Sequence, residues 1–272
     1  MQEPCTDPGA GATGPPAAAP IAPWPRWGGG GPPSGWHGAA IRAGFGAEIG
    51  GPIVVKIGGS LLGRRGWPAL VAALAASLAD PPGDPRADPP GDPPGGGREA
   101  APGLARGGAG GGRCRLFVVG GGAIVDGLRA IDAAAPRDQA LVHALAIDAM
   151  RLTARLVADA MGLPFAAAPS PTAAAVVLDV PAWLAVGDRG RTLPAGWGVT
   201  SDSIAARVAV EHGAALLLAK SVPPSPCPVG DLARLVAAGW VDDHFAAAAD
   251  PLTSIAWAAP IRPAKSSGPE VA

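Results

Sequence analysis

The chain has 272 residues, 48% of them hydrophobic and 16% charged, with a net charge of -1 and a mean hydropathy of +0.26. With 21 Lys and Arg against 22 Asp and Glu it has no basic field for nucleic acid, and no stretch of about 18 uninterrupted apolar residues offers a membrane span. The cysteines Cys5, Cys114 and Cys227 keep no metal-ligand or disulfide spacing, which fits a reducing, cytoplasmic setting.

Glycine and proline, 41 and 33 residues, are concentrated rather than spread. Residues 1–50 and 80–112 are rich in both and lack apolar periodicity, so neither is expected to bury enough surface to offset its chain entropy. The first is read as a disordered leader without the features of a secretory signal, and the second as a low-complexity insertion. Trp24, Trp27 and Trp36 are taken as scattered tail aromatics rather than a surface tether. A single domain is expected over 51–262, with 263–272 as a tail.

Within that domain the pattern alternates. Residues 53–57 form a β-branched run between glycines and predict a buried strand; 68–79 predict a helix opened by Pro68 and stopped by Pro81. A second strand is expected at 116–119 and helices at 123–135 and 137–161, the latter closed by Gly162 and Pro164. Residues 176–178 and 214–219 read as strands, and 204–212 as a helix ending before Gly213. Apolar strands alternating with helices define an α/β protein, a three-layer αβα sandwich around a mainly parallel sheet.

Two glycine clusters directly follow strands: Gly58-Gly59-Ser60 and Gly120-Gly121-Gly122. At the C-terminal ends of parallel strands, glycines let backbone N–H groups approach an anion without an intervening Cβ. Neither cluster matches the dinucleotide or P-loop spacing. Lys56 stands inside the first apolar strand and is one of only three lysines in the chain. A buried ammonium is costly unless it is paired or meets an anion, and a compact charge suits a phosphoryl group in transfer. Thr200-Ser201-Asp202 precedes an apolar helix; these residues serve as an N-cap, and Asp202 is also placed to hold a lysine or a magnesium ion. His143, Asp148, Met150 and Arg151 are read as a partly exposed helix face rather than as acceptor-specificity residues.

Val55-Lys56-Ile57-Gly58-Gly59-Ser60, Val118-Val119-Gly120-Gly121-Gly122 and Thr200-Ser201-Asp202-Ser203-Ile204-Ala205-Ala206, in that order, resemble the motifs of the amino-acid kinase superfamily, the fold of acetylglutamate kinase, aspartokinase and bacterial uridylate kinase. The resemblance implies an ATP-dependent phosphotransferase that uses Mg²⁺, acts on a small molecule and forms homo-oligomers. It implies that Lys56 bridges the transferring phosphoryl and that Asp202 orients Lys56 or the metal. Gly58, Gly59, Ser60, Thr200 and Ser201 would lie on the nucleotide side, and Gly120, Gly121 and Gly122 would cradle the acceptor. Trp197 to Ala205, with Val241-Asp242-Asp243-His244-Phe245, is similar to the kinase of methanofuran biosynthesis, which implies an aminomethylfuran-methyl phosphate acceptor. A uridylate- or acetylglutamate-type kinase and a non-catalytic nucleotide-binding subunit remain the alternatives. One departure is clear: Leu218-Ala219-Lys220-Ser221-Val222 runs into Pro223-Pro224 without the Asp-Gly-Val-Tyr of uridylate kinases. Lys220 there is either a substitute second cation or merely the close of a strand.

Overall fold

Strands and helices alternate around a seven-stranded sheet in the computed structural model, which describes residues 36–42, 51–78, 114–169, 173–222 and 231–260. The strands are β1 (Trp36–Arg42), β2 (Ile53–Ile57), β3 (Arg115–Val119), β4 (Phe165–Ala166), β5 (Ala175–Leu178), β6 (Ala215–Ala219) and β7 (Ile255–Pro260). The helices are α1 (Trp67–Ser77), α2 (Gly122–Ala134), α3 (Gln139–Met161), α4 (Val180–Leu184), α5 (Ser201–Glu211), α6 (Leu232–Ala237) and α7 (Phe245–Ala249). The order across the sheet is β1-β7-β6-β2-β3-β5-β4. Six strands run parallel, and β1 pairs antiparallel with β7 at one edge. The three-layer αβα sandwich expected from the alternation is the observed architecture.

Burial on both faces explains why the central strands carry no polar stripe. In β2, Ile53, Val55 and Ile57 face a layer built from α1 and the second half of α3, including Val71, Leu74, Val157 and Ala158. Val54 faces the opposite layer with Ile204, Val208, Leu235 and Phe245 from α5, α6 and α7. Side chains alternate along a strand, so Lys56 falls on the α5 face.

The sheet order also places the site. From β2 the chain moves through α1 to β3 on one side, whereas β6, reached through α5, lies on the other. The strand order therefore reverses at β2, and in parallel sheets such a point opens a crevice at the strands' C-terminal ends. Both glycine clusters, and Lys220 just beyond β6, sit there.

The leader expectation needs correction over one stretch. Residues 36–42, read as part of a structureless segment, form β1, and Trp36 is 2% exposed within the α1 and α3 layer rather than a tail aromatic. Gly38, Ala39 and Ala40 gave no apolar period, but a strand paired to an existing sheet edge is specified by backbone hydrogen bonds more than by side chains. The rest of the leader, the 80–112 insertion, the tail, Trp24, Trp27, Cys5 and Cys227 lie outside the described residues. A truncation lacking residues 1–35 should keep the cooperative thermal transition, whereas one lacking 1–48 should melt lower because β7 loses its edge partner and Trp36 leaves the core. Equal melting temperatures in calorimetry would refute this.

Candidate functional site

Three charged side chains meet where β2, α5 and β6 converge. Lys56 Nζ lies 2.8 Å from Asp202 Oδ1, and Lys220 Nζ lies 2.5 Å from Asp202 Oδ2. Lys220 also donates to the Trp240 carbonyl at 2.8 Å and sits 5.4 Å from the centre of the Trp257 ring. The sheet register sets this up: Lys56 lies opposite Leu218 of β6, so Lys220 follows two residues further along the adjacent strand. Asp202 is in the first turn of α5, where the helix dipole favours a carboxylate. Lys220 therefore does more than close a strand.

The charges do not cancel. One carboxylate between two ammonium groups leaves a surplus positive charge at a site where Lys56 is 4% exposed. Burial pushes the Asp202 carboxyl up, but Lys56 and Lys220 together outweigh it and hold the group below the usual carboxylate range. Burial, with the Lys56 charge, pushes Lys220 down from 10.5 to about 8, against the opposing pull of Asp202 and Asp242. A reaction that needs both ammonium groups should hold its rate below that pH and lose it as pH rises through about 8. The unfolded chain keeps the Lys220 proton up to 10.5, so between about 8 and 10.5 it binds more protons than the folded chain. This group's contribution to stability accordingly rises with pH across that window, while the rate falls. A turnover–pH profile flat through pH 9.5 would contradict the assignment.

A cavity of about 190 Å³ opens beside this cluster, lined by Gly59, Ser60, Gly120, Gly121, Gly122, Thr200 and Ser201 at one end. Lys56, Gly58, Asp202 and Lys220 are not in its lining, although Ser201 adjoins Asp202 and Ser60 bonds Ser221, next to Lys220, at 2.8 Å. The residues expected on the nucleotide side and those expected on the acceptor side thus share one cavity. The lining also includes the polar Asp126, Arg129, His143 and Trp197 and the apolar Val125, Ile147 and Met150. The indole of Trp197 donates to Asp132 at 2.8 Å, and the Arg129 guanidinium lies 5.1 Å from its ring centre. His143 Nδ1 donates to the Gly196 carbonyl at 3.1 Å.

The two glycine loops interlock. A Cβ on Gly59 would fall 2.2 Å from the Gly122 nitrogen, and one on Gly120 would fall 2.8 Å from Ser201 Oγ. Gly122 has a φ of +54°, in the left-handed region. Thr153 of α3 fixes the second loop by donating to the Gly120 carbonyl at 3.0 Å. Not every glycine amide faces the cavity as expected. Gly58 N–H donates to Ala219 O at 2.7 Å and Gly120 N–H to Ile57 O at 2.9 Å, because the parallel ladder continues one residue past each strand. Gly59, Gly121 and Gly122 are left to present backbone to an anion.

Of the helix-face residues, half-buried His143 and buried Met150 line the cavity, Arg151 pairs with Asp179 and Asp148 is exposed. The missed residue of greatest consequence is Asp242. Its Oδ2 accepts from Thr200 N (2.9 Å), Thr200 Oγ1 (2.7 Å) and Ser203 N (3.1 Å), and its Oδ1 accepts from Ser203 Oγ. The Val-Asp-x-x-Phe pattern marked the position but gave no partner for it.

Among the described residues no three His, Cys, Asp or Glu side chains form a metal cluster, and both Asp202 oxygens already face ammonium groups. This donor set does not make a magnesium cage. Among the same residues no helix is long and apolar enough to cross a membrane.

No protein-family model matches the chain, and no curated protein sequence matches it. Among solved structures, the uridylate kinase of Archaeoglobus fulgidus is similar at 17% identity and a TM-score of 0.45, covering 76% of this chain and 90% of that one.

Proposed function

We propose that the chain is an ATP-dependent small-molecule kinase of the aspartate, glutamate and uridylate kinase type, transferring a γ-phosphoryl group to a phosphate or carboxylate acceptor. The observation that carries this reading is the pair of ammonium groups, Lys56 buried and Lys220 half-buried, that share Asp202 at the C-terminal ends of β2 and β6. Burying two like charges is costly, and the surplus charge has an evident use where two anions must be brought together. No covalent intermediate is required: the protein aligns donor and acceptor and offsets charge as it shifts between them. Lys56 and Lys220 supply the cations, Asp202 sits between them and helps Lys220 keep its proton, and the interlocked glycine loops exclude side chains from the anion's path.

The finer reading is an acceptor of the aminomethylfuran-methyl phosphate kind, in a methanofuran-type cofactor pathway. The cavity lining mixes backbone glycines, hydroxyls and charged groups with apolar side chains such as Val125, Ile147 and Met150, which suits a small phosphorylated acceptor with an apolar part. A homo-oligomer belongs to the same reading and is supported by Leu141, Leu145, Leu152 and Leu156, exposed along α3.

The test is ADP release with ATP and Mg²⁺ across phosphorylated furans, UMP and acetylglutamate. Turnover with a furan phosphate and not with UMP is the expected result. Release with UMP alone would replace the acceptor, and ATP binding without release on any acceptor would favour a non-catalytic binding subunit.

A further inference from the structure

Asp242 is bound to α5 more heavily than a helix cap requires. Thr200 already caps the helix locally, accepting from Asp202 N at 3.3 Å. Yet the Asp242 carboxylate, 42 residues further along the chain, takes two backbone amides and two hydroxyls from the same turn. All four donors are neutral and belong to the first turn of α5, the positive end of the helix. Two residues earlier, the Trp240 carbonyl accepts from Lys220. The span 240–242 therefore touches both the turn that carries Asp202 and the lysine that Asp202 binds.

We infer that Asp242 is a positioning residue: it seats the first turn of α5 so that one carboxylate, Asp202, bridges Lys56 and Lys220. Without it, Thr200 and Ser203 would lose their shared partner, and Asp202 would be free to turn toward one lysine at the other's expense. Charge acts in the same direction. The groups facing Lys220 are Asp202 of α5, Lys56 of β2, the Trp257 ring of β7 and, at longer range, Asp242, whose negative charge helps Lys220 keep its proton. The kinetic part of this inference rests on the phosphoryl-transfer reading; the electrostatic part does not.

The chain's three lysines, Lys56, Lys220 and Lys265, make a direct test practical. Labelling with [13Cε]lysine gives one resonance each, assigned by single Lys→Arg substitutions and followed against pH. In the unsubstituted protein Lys220 should titrate at about 8. In Asp242→Asn it should titrate lower by at least about half a unit. Turnover should fall about tenfold or more while both KM values stay within about threefold. A merely structural role would lower the melting temperature and leave the Lys220 titration where it was, and that result in folded Asp242→Asn overturns the inference. A moved titration in a protein that transfers no phosphoryl group supports only the electrostatic part of the inference, since losing the Asp242 charge moves Lys220 by itself, and removes the kinase reading instead. Should Asp242→Asn fail to fold, Ser203→Ala removes one hydroxyl from the carboxylate and keeps its charge. Turnover there should fall about threefold or more at unchanged KM, and unaltered turnover overturns the inference.

Discussion

Lys56→Ala is expected to lower single-turnover phosphoryl transfer at least about a hundredfold while leaving ATP affinity within about tenfold. The two effects separate because an ammonium aimed at the transferring group acts most where negative charge moves, not on the bound ground state. Lys56→Arg should fail as well. Its planar guanidinium cannot reproduce the compact point charge that the Lys56 ammonium sets 2.8 Å from Asp202 Oδ1. Calorimetry for the nucleotide and rapid-quench transfer with the best acceptor are the measurements. Near-normal transfer in Lys56→Ala would end the catalytic assignment.

Asp202→Asn should be the more damaging change, because it removes both the bridge and the compensating charge. The buried Lys56 and half-buried Lys220 ammonium groups then face each other across a neutral amide, at an expected cost of about 3–5 kcal/mol in stability. Transfer should fall at least about a hundredfold, since Lys220 then gives up its proton closer to neutral pH and one of the two cations is lost. The stability deficit should shrink at alkaline pH, where Lys220 is neutral in both proteins and the repulsion disappears. The double variant Lys56→Ala/Asp202→Asn should be no worse in transfer than either single change, because both residues serve one constellation. It should also melt higher than Asp202→Asn alone, having lost one of the stranded charges. A double variant that melts lower would show that the two residues act independently.

Much of this site was legible in the residues. The run 53–57 has the bounds of β2, and a lysine inside it pointed to a buried charge with a partner. Asp202 was readable as a partner for a lysine only beside its ordinary use at a helix N-terminus, and the motif resemblance tipped that choice. Lys220 was left open because its neighbours in sequence, Ala219 and Ser221, say nothing of Asp202 or Trp240, which reach it only through the fold. Asp242 was opaque for the same reason: its partners are 39 and 42 residues away. The strands missed were β1 and β7, whose alanines carry no strong strand preference, and β4, which has two residues. Their places are set by the sheet that receives them.

The pairing of β1 with β7 bears on how the chain reaches this state. Trp36 registers with Pro260 and Arg42 with Ile255, so the contact closes a loop of more than two hundred residues. Pairings of that sequence separation form slowly, after the local βαβ units have assembled. During synthesis residues 36–42 emerge first and wait for the last strand of the sheet. Until it arrives they are an unsatisfied backbone able to pair elsewhere, and a second copy of β7 on another nascent chain offers the same ladder. Exchange of β1 between chains is therefore the misassembly this topology invites, most strongly on crowded ribosomes.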